Sequence, residues 1–298
     1  MPVLLAASIA TLIVAVVLVV VEVVAKPVAD PLDPRASTVA VAGLARRHSS
    51  VRRFLRSRVD PSKVTGLFLT IALAVTAAAI LAIGSLLEMV QTKRGFARWD
   101  DSAARWGATH STEASRTVLR TVTQLGATWV VIGVAVVVAL VQRDRITRLH
   151  VGAFMATVVL STILLNNTVK FLVDRSRPDI ARFVGATGSS FPSGHSASAA
   201  ATWAAVALVF GRGKRRATWS MLAAGAGAIA TAVAASRVLL GVHWLTDVMA
   251  GLALGWGCFA LSSIAFGGRL LQFGQPVAAA KAQTTAAPAP PVHHEVRT

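Results

Sequence analysis

The sequence predicts an all-α membrane protein, a polytopic helix bundle with a six-helix core and an extra N-terminal helix. Of its 298 residues, 54% are hydrophobic and only 14% are charged, whereas soluble domains carry about 25% charged residues. The apolar residues form long blocks that are separated by basic loops, as is typical of membrane proteins. Because a chain inside a bilayer must satisfy its own backbone hydrogen bonds, these blocks predict helices.

The first apolar block, Val3–Ala25, contains a single charge, Glu22. It is longer than the apolar part of a signal peptide and has no basic residue before it, so it predicts a membrane helix, with a signal sequence as the alternative. A proline-containing linker follows and ends in "RRHSSVRRFLRSR". That run predicts either a solvated loop or a patch on anionic lipid. Together these features define a first region, residues 1–65.

Residues 66–271 contain six further apolar blocks, which predict the core of the bundle. Small residues let membrane helices approach closely, so we expect close helix contacts at the glycine pairs 225/227 and 251/255. Residues 272–298 are rich in Ala and Pro and predict a disordered tail. The six blocks are Gly66–Val90, Thr128–Val141, His150–Val173, Ser196–Phe210, Ala217–Ala235 and Val248–Phe266.

The formal net charge of +17 would fit a nucleic-acid partner. However, the basic residues lie mostly between apolar blocks, where they determine membrane orientation, so no nucleic-acid partner is expected. The loops "RDRITR" and "GRGKRR" and the basic run 46–63 alternate onto one side, predicted to be cytoplasmic. Segments 174–195 and 236–247 then lie on the outer face of the plasma (inner) membrane. The long segment Gln91–Ala127 is also basic, with six Lys or Arg against three acids, and is the exception to this rule.

Three polar clusters occur at predicted helix ends on that outer side. The first is "KFLVDRSRP", with Lys170 and Arg177, and the second is "PSGH", residues 192–195. The third is "SRVLLGVHWLTD", with Arg237, His243 and Asp247. Because helix ends on one face of a membrane can converge, the three clusters predict a single site.

The cations of these clusters suit a tetrahedral anion. Lys170, Arg177 and Arg237 can grip phosphate oxygens, and an Arg fork can hold two of them at once. Ser193 and Gly194 lie at the predicted start of a helix, where a hydroxyl and free N–H groups favour an anion. The clusters therefore predict a phosphate-binding site.

The histidines and the carboxylate predict the chemistry at this site. His243 and Asp247 are four residues apart and would share one face of a helix. A carboxylate on one ring nitrogen leaves the other nitrogen free to attack, and His195 remains as a general acid. A zinc site is the alternative, since two His and an Asp can ligate zinc. Three cations in the same place oppose a metal, so no metal and no cofactor is expected.

The three clusters resemble the signature motifs of the type 2 phosphatidic acid phosphatase superfamily: Lys-x6-Arg-Pro, Pro-Ser-Gly-His and Ser-Arg-x5-His-x3-Asp. Every signature position is filled, and the resemblance covers roughly residues 66–266. It implies that His243 forms a phosphohistidine, that Asp247 orients His243, and that His195 protonates the leaving oxygen and later helps to activate water. It also implies that the phosphoryl oxygens are held by Lys170, Arg177, Arg237, Ser193 and the Gly194 amide.

The predicted function is a metal-independent integral-membrane lipid phosphatase that hydrolyses a phosphomonoester or diphosphate of a polyprenyl lipid. One alternative is a glycerolipid phosphate phosphatase acting on phosphatidic acid or phosphatidylglycerol phosphate. Another is a lipid-linked phosphotransferase, which passes the phosphoryl group to an acceptor other than water. Haloperoxidases of the superfamily need vanadate, and a membrane location argues against that activity. The expected partners are the lipid phosphate substrate and the surrounding membrane lipid.

Overall fold

The computed structural model describes residues 64–143, 145–180, 182–212 and 214–270. Within these ranges the chain forms eight α-helices and two short 3-10 helices and contains no strand, so the predicted all-α fold is confirmed. The predicted N-terminal helix, most of the basic linker and the tail lie outside the described residues, and the three-region division stays a prediction. The α-helices are α1 (Val64–Thr92), α2 (Asp100–His110), α3 (Glu113–Thr123), α4 (Thr128–Leu140), α5 (Arg145–Val173), α6 (Gly194–Gly211), α7 (Arg216–Leu239) and α8 (Leu245–Leu270).

Each of the six apolar blocks predicted for the core forms one of the helices α1 and α4 to α8. Among the described residues, four helices are long and apolar enough to cross a membrane: α1 from Ile71 onward, α5, α7 and α8. A fifth span is added if α3 and α4, which meet at a bend of 53°, count as one. Large apolar side chains such as Phe171 and Leu81 are exposed on the outside of the bundle. These features are those of an integral membrane protein.

Helix α6 lies in the interior of the bundle, where it packs against α4, α5, α7 and α8. Most of its residues are small and buried. A Cβ added to Gly251 of α8 would lie 2.5 Å from the carbonyl oxygen of Ser193, and one added to Gly255 would clash with the carbonyl oxygen of Ala197. The close approach predicted for this glycine pair is therefore confirmed.

The same prediction is wrong for Gly225 and Gly227 of α7. No heavy atom lies within 4 Å of a Cβ built on either residue, within the part of the chain that the structure describes. Gly225 is exposed. The spacing of small residues alone does not say which face of a helix meets a neighbour, because that depends on how the helix is rotated in the bundle.

The polar segment Gln91–Ala127 folds into α2, α3 and the 3-10 helices Gly95–Trp99 and Gln124–Gly126. Helix α3 begins at a capping box, in which the Thr112 hydroxyl and the Ser115 hydroxyl each accept from the other residue's backbone N–H. The segment packs on the ends of α7 and α8. It therefore covers the end of the bundle at which α5 and α7 end and α6 and α8 begin.

Candidate active site

The first motif places two cations against backbone carbonyls. Lys170 lies in the last turn of α5 and its Nζ donates to the carbonyl of Ser189 at 3.0 Å. Arg177 follows the helix, and its guanidinium donates to the carbonyls of Gly188 at 3.0 Å, Thr187 at 2.9 Å and Val242 at 2.8 Å. These bonds orient both side chains before any ligand is present.

The second motif forms the start of α6. Ser193 is the N-cap residue and is fully buried. Its N–H donates to the carbonyl of Asp247 at 3.0 Å, and its hydroxyl oxygen accepts from the hydroxyl of Ser196 at 3.0 Å. A Cβ on Gly194 would lie 3.1 Å from Oδ1 of Asn166 on α5. Since the first N–H groups of a helix have no partner within it, the N–H of Gly194 is directed out of the helix start.

The third motif contributes Arg237, which lies in the last turn of α7 and is 5% exposed. Its Nη1 donates to the hydroxyl of Thr123 at 3.1 Å. Its Nε is buried and has no hydrogen-bond partner among the described residues. A buried unpaired donor costs about 1–3 kcal/mol, so an anionic oxygen bound at this position would stabilise the site.

His243 lies in the turn before α8 and Asp247 in the first turn of α8, and both are buried. Nε2 of His243 lies 3.3 Å from Nη1 of Arg177, and its Nδ1 lies 3.5 Å from Oδ2 of Asp247. A guanidinium can only donate, so Nε2 carries the lone pair and the ring proton is on Nδ1, towards Asp247. This is the tautomer in which Nε2, and not Nδ1, carries the lone pair that can attack.

The expectation that His243 and Asp247 share a helix face is wrong in one respect, because α8 begins at Leu245, after His243. Asp247 is instead placed by the helix start: its Oδ2 accepts from the N–H of Trp244 at 2.9 Å. A carboxylate in the first turn that accepts from the N-cap N–H is half of a capping box. The pair is therefore brought together by a turn rather than by helix periodicity.

Burial lowers the pKa of His243 to about 4; the nearby Asp247 opposes this, whereas Arg237 and Arg177 add to it. Burial also lowers the pKa of Arg177. The folded-state pKa of His243 is thus below its ordinary value, so the imidazole is neutral above about pH 4 and becomes protonated below it. The neutral form, which a nucleophile requires, is present across the physiological range.

The structure brings all eight sequence-predicted site residues to one end of the bundle. His195, the second residue of α6, is half-buried and lies near Arg237, His243, Lys170 and Arg177. No group of three or more His, Cys, Asp or Glu that could hold a metal ion occurs in the described ranges. The three cations and two imidazoles of the motifs can instead bind a phosphate group.

Sequence reasoning missed several residues that hold the site together. Asp100 of α2 is buried and binds Arg175 and Thr246, while Thr123 binds Arg237. Arg175 lies inside the first motif at a position that the motif does not specify. Asp100 lies in the long basic segment Gln91–Ala127, in which no site residue was predicted. The one signal in the sequence was the adjacent acids Asp100 and Asp101, in a segment with six basic residues and one further acid.

Comparison with known proteins agrees with this geometry. Residues 151–270 match the model of the PAP2 superfamily. Phosphatidylglycerophosphatase B of Bacillus subtilis (strain 168) is 39% identical over 116 residues, covering 37% of this chain and 55% of that protein. A lipid A 1-phosphatase of Rhizobium etli is 37% identical over 123 residues, covering 37% of this chain and 48% of that protein. The chain thus spans about half the length of the curated relatives it matches.

A solved structure shows the same fold over a larger share of the chain. It is a transmembrane PAP2 type phosphatidylglycerolphosphate phosphatase from Bacillus subtilis, with a TM-score of 0.51 and 25% sequence identity. The match covers 64% of this chain and 94% of that one. The range 151–270, which matches the PAP2 superfamily model, also contains all three motifs, so this part of the chain is similar to that superfamily in both sequence and motif positions.

Proposed function

We propose that the chain is an integral-membrane phosphatase that releases phosphate from a lipid phosphate without a metal ion. The observation that carries this proposal is the position of His243, whose unprotonated Nε2 faces Arg177 while its Nδ1 faces Asp247. The unpaired Nε of Arg237 supplies a buried donor for the same anion. A nucleophile, its orienting carboxylate and cationic donors are thus present together.

In the first step, Nε2 of His243 attacks the phosphorus atom and an N–P bond forms. The bond between phosphorus and the lipid oxygen breaks, and His195, which enters this step as the imidazolium, gives one ring proton to that oxygen. The lipid leaves as an alcohol or, from a diphosphate, as a lipid monophosphate. Asp247 stabilises the positive charge that develops on the His243 ring. Lys170, Arg177, Arg237, the Ser193 hydroxyl and the Gly194 N–H hold the remaining phosphoryl oxygens.

In the second step, a water molecule gives a proton to His195 and attacks the phosphorus atom. The N–P bond breaks, inorganic phosphate leaves, and both histidines return to their starting states. A phosphotransferase would follow the same first step, and an acceptor hydroxyl would replace water in the second. Transfer of phosphate from a labelled donor to an organic product, rather than to water, would favour this alternative.

Two lipid classes are candidates for the substrate. A polyprenyl phosphate or diphosphate is the first, because a site on the outer membrane face suits the recycling of a lipid carrier. Phosphatidylglycerol phosphate is the second, and the names of the Bacillus subtilis relatives favour it. The site lies at the ends of membrane helices, so either headgroup can bind while its tail stays in the bilayer.

The test is phosphate release by the purified protein from polyprenyl phosphate, polyprenyl diphosphate, phosphatidylglycerol phosphate, phosphatidic acid and a short soluble ester. The binding energy of the lipid tail should contribute to kcat as well as to substrate affinity. We expect the preferred lipid to exceed the soluble ester in kcat/KM at least about a hundredfold, or ~2.7 kcal/mol. Equal turnover of the soluble ester would reject lipid specificity.

His243→Gln is the matched variant for this assay. Loss of the nucleophile should reduce kcat by at least about 10⁴-fold, and a chelator should leave the wild-type rate unchanged. Retention of activity in His243→Gln would reject the phosphohistidine. Complete loss in chelator that zinc or magnesium restores would reject metal independence.

A further inference from the structure

The buried carboxylate of Asp247 has a second charged partner besides His243. Its Oδ1 accepts from Nη1 of Arg175 at 2.6 Å, and Nη2 of Arg175 donates to Oδ2 of Asp100 at 2.7 Å. The three side chains are 0%, 15% and 5% exposed, in that order. They form a buried row of carboxylate, guanidinium and carboxylate that reaches from the outer segment to the start of α8.

Asp100 also caps helix α8 from a distant part of the chain. Its Oδ1 accepts from the N–H of Thr246 at 2.9 Å, and its Oδ2 accepts from the Thr246 hydroxyl at 2.8 Å. Because α8 begins at Leu245, this N–H has no partner within its own helix. A carboxylate at a helix N-terminus is a favourable cap and also complements the helix dipole. The outer segment is thereby fastened to the turn that carries Asp247.

Arg175 and His243 meet different oxygens of Asp247. Oδ1 accepts from Arg175, while Oδ2 accepts from the N–H of Trp244 and lies 3.5 Å from Nδ1 of His243. The guanidinium also lies 5.4 Å from the centre of the Trp244 ring, a cation–π contact that holds it on this side. Because its Nη1 and Nη2 each donate to a different carboxylate, the guanidinium bridges the two and restricts rotation of both.

We propose that Arg175, held in place by Asp100, is a positioning residue that fixes Asp247 against His243 and moderates the negative charge that His243 experiences. This inference rests on the proposed function, in which His243 is the nucleophile. Arg175 and Asp100 lie outside the specified positions of the three motifs. Both act through Asp247 rather than on the phosphate.

The charges around His243 decide the sign of the expected effects. Loss of the Arg175 charge leaves Asp247 uncompensated, so the pKa of His243 should rise. Loss of the Asp100 charge removes a more distant anion, so the pKa of His243 should remain unchanged or fall. General damage to the site would instead shift the pKa of His243 in the same direction in both variants. The other titratable or charged groups near His243 come from four elements. They are Asp247 of α8, Arg177 of the loop after α5, Arg237 of α7 and His195 of α6. Lys170 of α5 interacts with Asp247.

The experiment compares Arg175→Gln, Arg175→Lys and Asp100→Asn in the full-length protein in detergent. The pKa of His243 is measured by NMR titration of 15N-histidine-labelled protein, with His243→Gln to assign the signal, and kcat and KM are measured by phosphate release. Arg175→Gln should raise the pKa of His243 by about one unit and lower kcat by about a hundredfold. Its KM should change less than about threefold, since substrate contacts remain.

Arg175→Lys separates charge from geometry. Lysine keeps the positive charge but lacks the fork, so the pKa of His243 should stay within about 0.3 units while kcat falls about tenfold. Glu113→Gln is the control, because Glu113 is an exposed acid of the same outer segment whose ion pair, with Arg116, lies on α3 alone. Glu113→Gln should change neither the pKa of His243 nor kcat.

The proposal is overturned if Arg175→Gln leaves the pKa of His243 unchanged or lowers it, or if Asp100→Asn raises it as well. Should Arg175→Gln fail to fold, Asp100→Asn and Arg175→Lys still decide: a rise in the pKa of His243 in either variant contradicts the charge assignment. Failure of the wild type to release phosphate from any lipid would reject the proposed function. The pKa of His243 in the Arg175 variants would still test the proposal in that case, because the NMR titration needs no substrate.

Discussion

Both ends of the helix bundle are rich in cations, but the two sets differ in their surroundings. At the motif end, Lys170, Arg177 and Arg237 are partly or fully buried and donate to backbone carbonyls or to a threonine hydroxyl. At the opposite end, Arg145 and Arg215 are exposed, like most basic residues there. Composition alone does not distinguish the two sets.

Burial is what gives the two sets different roles. A buried cation needs a partner or a ligand, because its desolvation is otherwise expensive, so the motif end can use its charge on an anion. An exposed cation contributes little to stability, and its main effect is on which side of the membrane its loop stays. Two experiments test this division, and a third tests the packing of the helices that carry the motif end.

The largest effect is expected from removing one cation at each end. Arg237→Gln should lower kcat/KM by about 10²–10³-fold, because a preorganised donor to the phosphoryl group is lost. Arg215→Gln, the matched change at the opposite end, should leave kcat/KM within about twofold, since an exposed charge far from the site is screened by solvent. Phosphate-release kinetics provide the measurement. Similar losses in both variants would show that burial does not separate the two sets.

Single cysteines at the two ends test the proposed orientation. In a Cys258→Ser background, Gly185→Cys lies in the loop of the motif end and Lys214→Cys lies at the opposite end, and both positions are exposed. A membrane-impermeant thiol reagent on intact cells should label the first cysteine and not the second, because basic loops stay in the cytoplasm. Labelling after cell lysis is the control for reactivity of both sites. The reverse pattern would place the active site on the cytoplasmic face.

The smallest effect concerns the packing that holds the motif end together. Gly255→Ala should lower the free energy of unfolding by about 1–3 kcal/mol, because its Cβ meets the backbone of α6, which cannot move aside as a side chain can. Gly225→Ala has open space and should stabilise α7 by up to about 1 kcal/mol. Thermal unfolding in detergent compares the two variants with the wild type. Equal changes would contradict the observed difference between the two glycine pairs.

The helices and the motif residues were predictable because their signals are local. Each of the six apolar blocks forms a helix, because inside a bilayer the N–H and C=O groups of a single segment can satisfy their hydrogen bonds only within a helix. The helices α2 and α3 of the polar segment were not predicted, although the Thr112 and Ser115 cap was present in the sequence. Helix signals in polar segments are weak, because they come from caps and amphipathic faces rather than from long apolar runs.

The sequence by itself determined the membrane class, the order of the core helices and the eight residues that meet at the site. Only the tertiary structure decided how those residues are held. The contact of Asp100 with Thr246 joins positions 146 residues apart, and the Asp100–Arg175–Asp247 row runs through three different elements. Periodicity and motif spacing describe neighbours along the chain, whereas such contacts depend on how helices rotate and pack. That packing also made Gly255 a point of close approach and left Gly225 without one.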